Sequence, residues 1–251
     1  MGTLAAPASF RTIDDILDAF AGPAGRGALN DYVVMQSPRY LRLLEVLRDH
    51  TPLPLLPAPN VADLGAGLQT ELFTAAYPQA HLTSVGFRDH AQRDYDDHVE
   101  FDLNASYDRA AWPTVRTPFD VVLFCEVIEH LYTTPIAVLS WIRSVMHPGA
   151  YLVVQTPNAQ AVTRRIRSVL GKPLYGRITN FGEPGMNPGH FREYTPDELR
   201  AMGRATGFRV EHLELANYIH HQGRGGRAMM RAYDLMPEGL RQGATVVYRA
   251  I

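Results

Sequence analysis

The sequence predicts an α/β fold built on a mostly parallel sheet. From Asn60 onward, short apolar runs of strand character alternate with helical segments, an order that implies parallel pairing with helices on both faces. The first of those runs ends in a glycine turn, Asp63-Leu64-Gly65-Ala66-Gly67, that leads straight into a helical stretch. At 251 residues, 46% of them hydrophobic, the chain is also long enough to bury one sizeable core.

The elements follow in order. Thr12 can cap a helix whose Ile13, Ile16, Leu17 and Phe20 recur at helical spacing. A glycine-rich break, Gly22 to Gly27, leads to a second helix. It is expected to open at Ser37-Pro38, because proline at the first helical position forfeits no hydrogen bond; Leu41, Leu44 and Leu47 form its apolar stripe. Four prolines between Thr51 and Pro59 make a stiff linker. Residues 1–58 therefore read as a helical cap and linker, and 59–251 as the main domain. In that domain NVADLGAG is the first strand, followed by a helix from Gln69 to Tyr77. HLTSVGF, HVEFDL and FDVVLFCEV are the next three strands, the last being the most hydrophobic run in the chain. Pro135 to Met146 is a helix, and AYLVVQTPN is a fifth strand beyond the Pro148-Gly149 turn. Thr195-Pro196-Asp197-Glu198 is a capping box with proline at the first helical position. FRVEHLEL and ATVVYRA finish the sheet as an antiparallel edge. The Pro- and Gly-rich piece from Gly171 to Gly189 is long for a plain connection, which makes about 171–190 a candidate lid.

Composition excludes several classes of function. A net charge of −2 argues against a general nucleic-acid binder. One cysteine, Cys125, rules out an internal disulfide framework and a multi-cysteine zinc module. No apolar run approaches the roughly 20 residues of a membrane span, and the first fifteen residues lack the charged and apolar regions of a secretory signal. The expectation is a cytoplasmic protein, monomer or homodimer, acting on a small molecule away from membranes. Its basic residues are nearly all arginine, as in proteins of GC-rich bacteria. Arg164, Arg165 and Arg167, with Lys172 and Arg177, read as a solvated helix face rather than an anion site.

In an open parallel sheet a ligand binds beyond the carboxyl ends of the strands, where the strand order reverses. Gly65 and Gly67 let the backbone approach it closely. Asp63, just before the turn, suits a cation or a pair of hydroxyls better than a diphosphate, and the third glycine of a dinucleotide fingerprint is missing. Glu126, Glu129 and His130 are spaced i, i+3, i+4, so they share one face if the chain turns helical after the fourth strand. With His190 from the NPGHF stretch they make a candidate site for a divalent metal that is open to substrate oxygens. Two other readings stand beside it: His130 as a general base with no metal, or Glu129 and His130 merely capping a helix start.

VADLGAG, FDVVLFCEVIEHL, PGAYLVVQTPN, HFREYTPDEL and TGFRV occur in an order that resembles the class I S-adenosylmethionine-dependent methyltransferases, over about residues 60 to 215. Within that class it is most similar to the ubiquinone-biosynthesis O-methyltransferases and the small-RNA 2′-O-methyltransferases. The resemblance implies a Rossmann-like, seven-stranded, mostly parallel sheet that binds S-adenosylmethionine (SAM). Asp63, Gly65 and Gly67 would lie under its methionine part. Asp102 would accept the adenine amino group with Leu103 beside it, and Cys125 and Glu126 would lie near the methyl donor. The same resemblance implies that Glu126, Glu129, His130 and His190 bind a divalent ion, whether magnesium, manganese, iron or zinc. In one respect the chain departs from the pattern. The acidic residue usual at the end of the second strand, which holds the ribose hydroxyls, is replaced by Gly86 or Phe87, with Asp89 just beyond. The expected reaction is methyl transfer from SAM to a hydroxyl of a small molecule, a secondary metabolite or sugar, with Glu129 and His130 as catalytic residues. RNA 2′-hydroxyl methylation and metal-free O- or N-methyl transfer with His130 as base are the alternatives.

Overall fold

The computed structural model describes residues 10–87, 95–175, 189–219, 233 and 235–251. Its strands are β1 (Asn60–Leu64), β2 (His81–Gly86), β3 (Asp97–Glu100), β4 (Phe119–Cys125), β5 (Met146–Pro157), β6 (Phe208–Ala216) and β7 (Gly243–Ala250). They form one seven-stranded sheet in the order β3-β2-β1-β4-β5-β7-β6. The first five run parallel, whereas β7 lies antiparallel to both β5 and β6. Of the last two strands only β6 is an edge. β7 inserts between β5 and β6 because GATVVYRA is buried along almost its whole length, whereas FRVEHLELA mixes buried and exposed positions. The order reverses between β1 and β4, and this opens a crevice at their carboxyl ends.

One face of the sheet is covered by α1 (Ile13–Ala21), α2 (Asp31–His50) and α3 (Leu68–Ala76). Ile16, Tyr40, Leu43 and Leu47 share a cluster with Val121, Leu123 and Val247 of the sheet. Thr12 caps α1 through a capping box with Asp15. The second helix begins seven residues ahead of Pro38 in the sequence, at Asp31, where the Asn30 side chain accepts from the Val33 amide. Pro38 therefore lies inside α2 and not at its start. Proline there deprives the Val34 carbonyl of its helical donor, and the Ser37 hydroxyl supplies a replacement at 2.8 Å. Arg42 pairs with Glu214 of β6 and with Glu45, and His50 stacks on His212 with ring centroids 3.7 Å apart, so the end of α2 is fastened to the sheet edge.

On the other face, α4 (Pro135–Ser144) and α6 (Pro196–Ala205) bury Trp141, Ile142, Leu199 and Met202 against Phe124, Val154 and Tyr248. Thr195 and Glu198 form the capping box of α6. The helix α5 (Val162–Val169) has no buried residue. After β4 the chain makes a short 3-10 turn, Ile128–His130, instead of the α-helix that the i, i+3, i+4 spacing assumed. Residues 176–188, most of the candidate lid, and Asp89 lie outside the described residues. Among the described residues no helix is long and apolar enough to cross a membrane.

Candidate active site

A cavity of about 780 Å³ opens at the carboxyl ends of β1, β2 and β4. Gly65, Gly67, Gly86, Asp102, Leu103 and Glu126, six of the residues expected at the cofactor, line it. Local chain geometry puts them there, because each ends a strand or lies within three residues of a strand's end. Gly65 has φ 72°, and a Cβ on it would stand 2.4 Å from Val127 Cγ2, so glycine is required by both backbone and space. Asp63 does not line the cavity. It is fully buried behind the turn, where it accepts a hydrogen bond from the Thr70 hydroxyl, which in turn accepts from the Gly67 amide at 3.1 Å. Its carboxylate thus braces the glycine turn from beneath. Asp102 Oδ1 accepts from the Asn104 amide at 2.9 Å, and Leu103 is buried next to it.

At the end of β2, a Cβ added to Gly86 would meet nothing within 4 Å. The register places His98 of β3 against Ser84, two residues earlier on the same face, and the Ser84 hydroxyl meets His98 Nδ1 at 2.7 Å. A recess of about 10 Å³ lies between His98, Ser84 and Gly86 beside the main cavity. His98 Nε2 is buried there and makes no hydrogen bond among the described residues.

The acidic and histidine residues separate into two groups. Glu129, His130 and His190 each offer a potential ligand atom, all within 4.8 Å of one another. The 3-10 turn positions the first two, and the Phe191 amide, donating to the Glu129 carbonyl at 2.8 Å, draws the His190 segment against them. The Glu129 side chain is completely buried. Its Oε2 accepts from Thr156 at 3.1 Å, whereas Oε1 has no hydrogen-bond partner among the described residues and stands 3.9 Å from His130 Nε2. Burial, with the nearby Glu126 charge, pushes the Glu129 carboxyl well above the usual range. Burial holds the His130 imidazole below its ordinary value. His130 Nδ1 bonds the Gly189 carbonyl at 2.8 Å, so Nδ1 carries the proton and Nε2 the lone pair.

Glu126 stands apart from this trio. It is a non-glycine residue at φ 56°, a strained conformation of the kind that collects at functional sites. Its Oε2 faces Arg39 Nη1 at 3.5 Å. Burial raises its carboxyl and the Arg39 charge opposes that rise. Arg39, which sequence reasoning missed, is a buried cation on the cavity wall, and its Nε has no partner among the described residues. Tyr32 and Tyr40 of the same helix also line the cavity. Glu193 was missed too. Its buried carboxylate receives His190 Nδ1 at 2.7 Å and a two-pronged contact from Arg164. Arg164 is therefore not part of a solvated face, whereas Arg165 and Arg167 only touch backbone carbonyls at the surface. A histidine and a glutamate three residues apart were the one local signal for Glu193.

The profile of a family described as a methyltransferase domain matches residues 12–213. No curated protein matches the chain. Among solved structures, a SAM-dependent methyltransferase from Archaeoglobus fulgidus is similar at 16% identity and TM-score 0.51, covering 84% of this chain and 94% of that one. Magnesium protoporphyrin IX methyltransferase from Synechocystis PCC 6803, solved with bound SAH, is similar at 13% identity and TM-score 0.54, covering 93% and 94%. At such identities the likeness is one of fold.

Proposed function

The chain belongs to the methyltransferase-domain family, and on that premise we propose that it transfers a methyl group from SAM to a hydroxyl oxygen of a small molecule, with a divalent metal held by Glu129, His130 and His190. The cap (1–58) and the sheet domain (59–251) would enclose the reactants between them. The observation that carries the proposal is the convergence of three ligand atoms within 4.8 Å beside the cavity. The donor set fits an ion in two further ways. Glu129 Oε1 is buried without a hydrogen-bond partner among the described residues, and each imidazole has its Nδ1 tied to an acceptor, Gly189 O or Glu193, which leaves Nε2 for a ligand. An oxygen acceptor suits a centre of carboxylate and imidazole ligands.

Methyl transfer needs an in-line nucleophile, so most of the catalysis is positioning. Gly65 and Gly67 let the backbone approach the cofactor, and Asp102 with Leu103 suits its adenine. Arg39, a buried cation, suits its carboxylate. Glu129, His130 and His190 would hold the metal, which would supply a lower pKa to the acceptor hydroxyl. In the second reading there is no ion, and His130, neutral with its Nδ1–H donated to Gly189, accepts the hydroxyl proton on Nε2. The two readings exclude each other, because one lone pair cannot do both.

The test is a titration of chelator-treated protein with MnCl2, followed by electron paramagnetic resonance, alongside calorimetry with S-adenosylhomocysteine (SAH). One Mn2+ per chain is expected. Glu129→Ala and His190→Ala should lose it, with SAH affinity nearly unchanged. A wild-type protein that binds SAH but takes up neither Mn2+ nor Zn2+ overturns the metal and leaves His130 as base. Failure to bind SAH or SAM at all overturns the cofactor.

A further inference from the structure

Arg164, Glu193 and His190 form a chain of contacts that leads from the surface helix α5 to the metal-ligand trio. The Glu193 side chain is fully buried, and its Oε1 receives both His190 Nδ1, at 2.7 Å, and an Arg164 Nη2 donor. Arg164 Nε completes a fork on Oε2 at 2.8 Å. The same guanidinium donates to the Leu174 carbonyl and lies 5.7 Å from the Tyr175 ring centroid, which fixes it from the other side. A buried carboxylate is stable when paired and hydrogen-bonded, and Arg164 provides both. A carboxylate only accepts hydrogen bonds, so His190 must carry its proton on Nδ1, and its lone pair is left on Nε2.

We propose that Glu193, held in place by the Arg164 fork, is a positioning residue that fixes His190 in the Nδ1–H tautomer and so prepares Nε2 as a metal ligand. The proposal rests on the metal reading above. It makes Arg164 and Glu193 part of the functional site although neither lines the cavity, and it gives an electrostatic purpose to an otherwise exposed helix. Partners of this kind, once removed, typically lower metal affinity about 10–100-fold.

The test combines nitrogen-15 NMR of histidine-labelled, metal-free protein with Mn2+ titration, using SAH affinity as the measure of correct folding. The His190 signal is assigned by its loss in His190→Gln. In the wild type, His190 should show a protonated Nδ1 and an unprotonated Nε2. Glu193→Ala should lose that signature and bind Mn2+ about 10–100-fold more weakly, with unchanged SAH affinity. Glu193→Gln, which keeps the volume and an acceptor oxygen, should restore much of both. A wild-type His190 protonated on Nε2, or a Glu193→Ala protein that binds Mn2+ as tightly as the wild type, overturns the proposal while the metal reading stands. An Nδ1–H His190 with no Mn2+ uptake by the wild type overturns the metal reading, and this proposal with it.

Discussion

Gly65→Ala isolates the physical requirement of the glycine turn. The residue sits at φ 72°, where an L-amino acid pays about 1–2 kcal/mol. Its new Cβ would stand 2.4 Å from Val127 Cγ2, so Val127 must move, at the roughly 1–3 kcal/mol typical of overpacking. The sum, about 3.5 kcal/mol at mid-range, lowers Tm by roughly 7–14 °C for a chain of this size. Gly67→Ala is the control, because φ there is −148° and the added Cβ meets only the Gln69 amide, 2.6 Å away on a flexible side chain. It should cost under about 1 kcal/mol. Val127→Ala in the Gly65→Ala background should recover the overpacking part and leave the backbone part, a coupling of about 1–3 kcal/mol in a double-mutant cycle. Urea unfolding of all five proteins, the wild type, the Gly65→Ala, Gly67→Ala and Val127→Ala single variants and the double variant, with m-values checked for constancy, reads these differences. If Gly65→Ala is no less stable than Gly67→Ala, or if Val127→Ala brings no recovery, then the turn is not constrained as described.

The His50 and Glu214 contributions to stability should be lost in two stages on acidification. Burial, then the His212 charge, keeps the His50 pKa below its ordinary value, so the unfolded chain binds the proton first and stability declines as pH drops below about 6.5. Burial opposes ionisation of Glu214, but hydrogen bonds from Arg42 and His212 still hold its pKa low, so its contribution persists to about pH 4.3 and is lost below that. Urea midpoints from pH 8 to about 3 test this, and an unchanged first stage in His50→Asn would count against it. His98→Ala should weaken SAH about tenfold if Nε2 reaches the ribose edge beside Gly86. The 3′-deoxy or 2′-deoxy analogue that lacks the contacted hydroxyl should then bind wild type and variant alike, whereas equal losses for SAH and both analogues would make His98 merely structural. Asp63→Ala should abolish SAH binding in calorimetry by releasing Thr70 and the turn, while Asp102→Ala weakens it about tenfold. Normal SAH affinity in Asp63→Ala would separate the brace from the cofactor.

Much of this molecule is legible along the chain, because much of it is decided locally. The capping boxes at Thr12 and Thr195 depend on residues three apart, and the glycine turn depends on two residues without a Cβ. Strand ends set by hydrophobic runs suffice to bring Gly65, Gly86, Asp102 and Glu126 to one rim. The antiparallel pair was visible as well, and the continuous burial of β7 against the mixed pattern of β6 shows which of them is interior. The remaining features required tertiary contacts. The start of α2 was misplaced because a side chain, Ser37, stands in for the donor that Pro38 lacks. The helical face expected for Glu126, Glu129 and His130 gave way to a left-handed residue and a 3-10 turn, which turn Glu126 toward Arg39 and Glu129 toward His130 and Thr156. Arg39 on Glu126 and Arg164 on Glu193 are pairings between segments that meet only once the helices have packed, and His98 comes beside Gly86 only through the register of β3 on β2. No periodicity records such contacts, because their strength comes from burial, and burial is a property of the assembled fold.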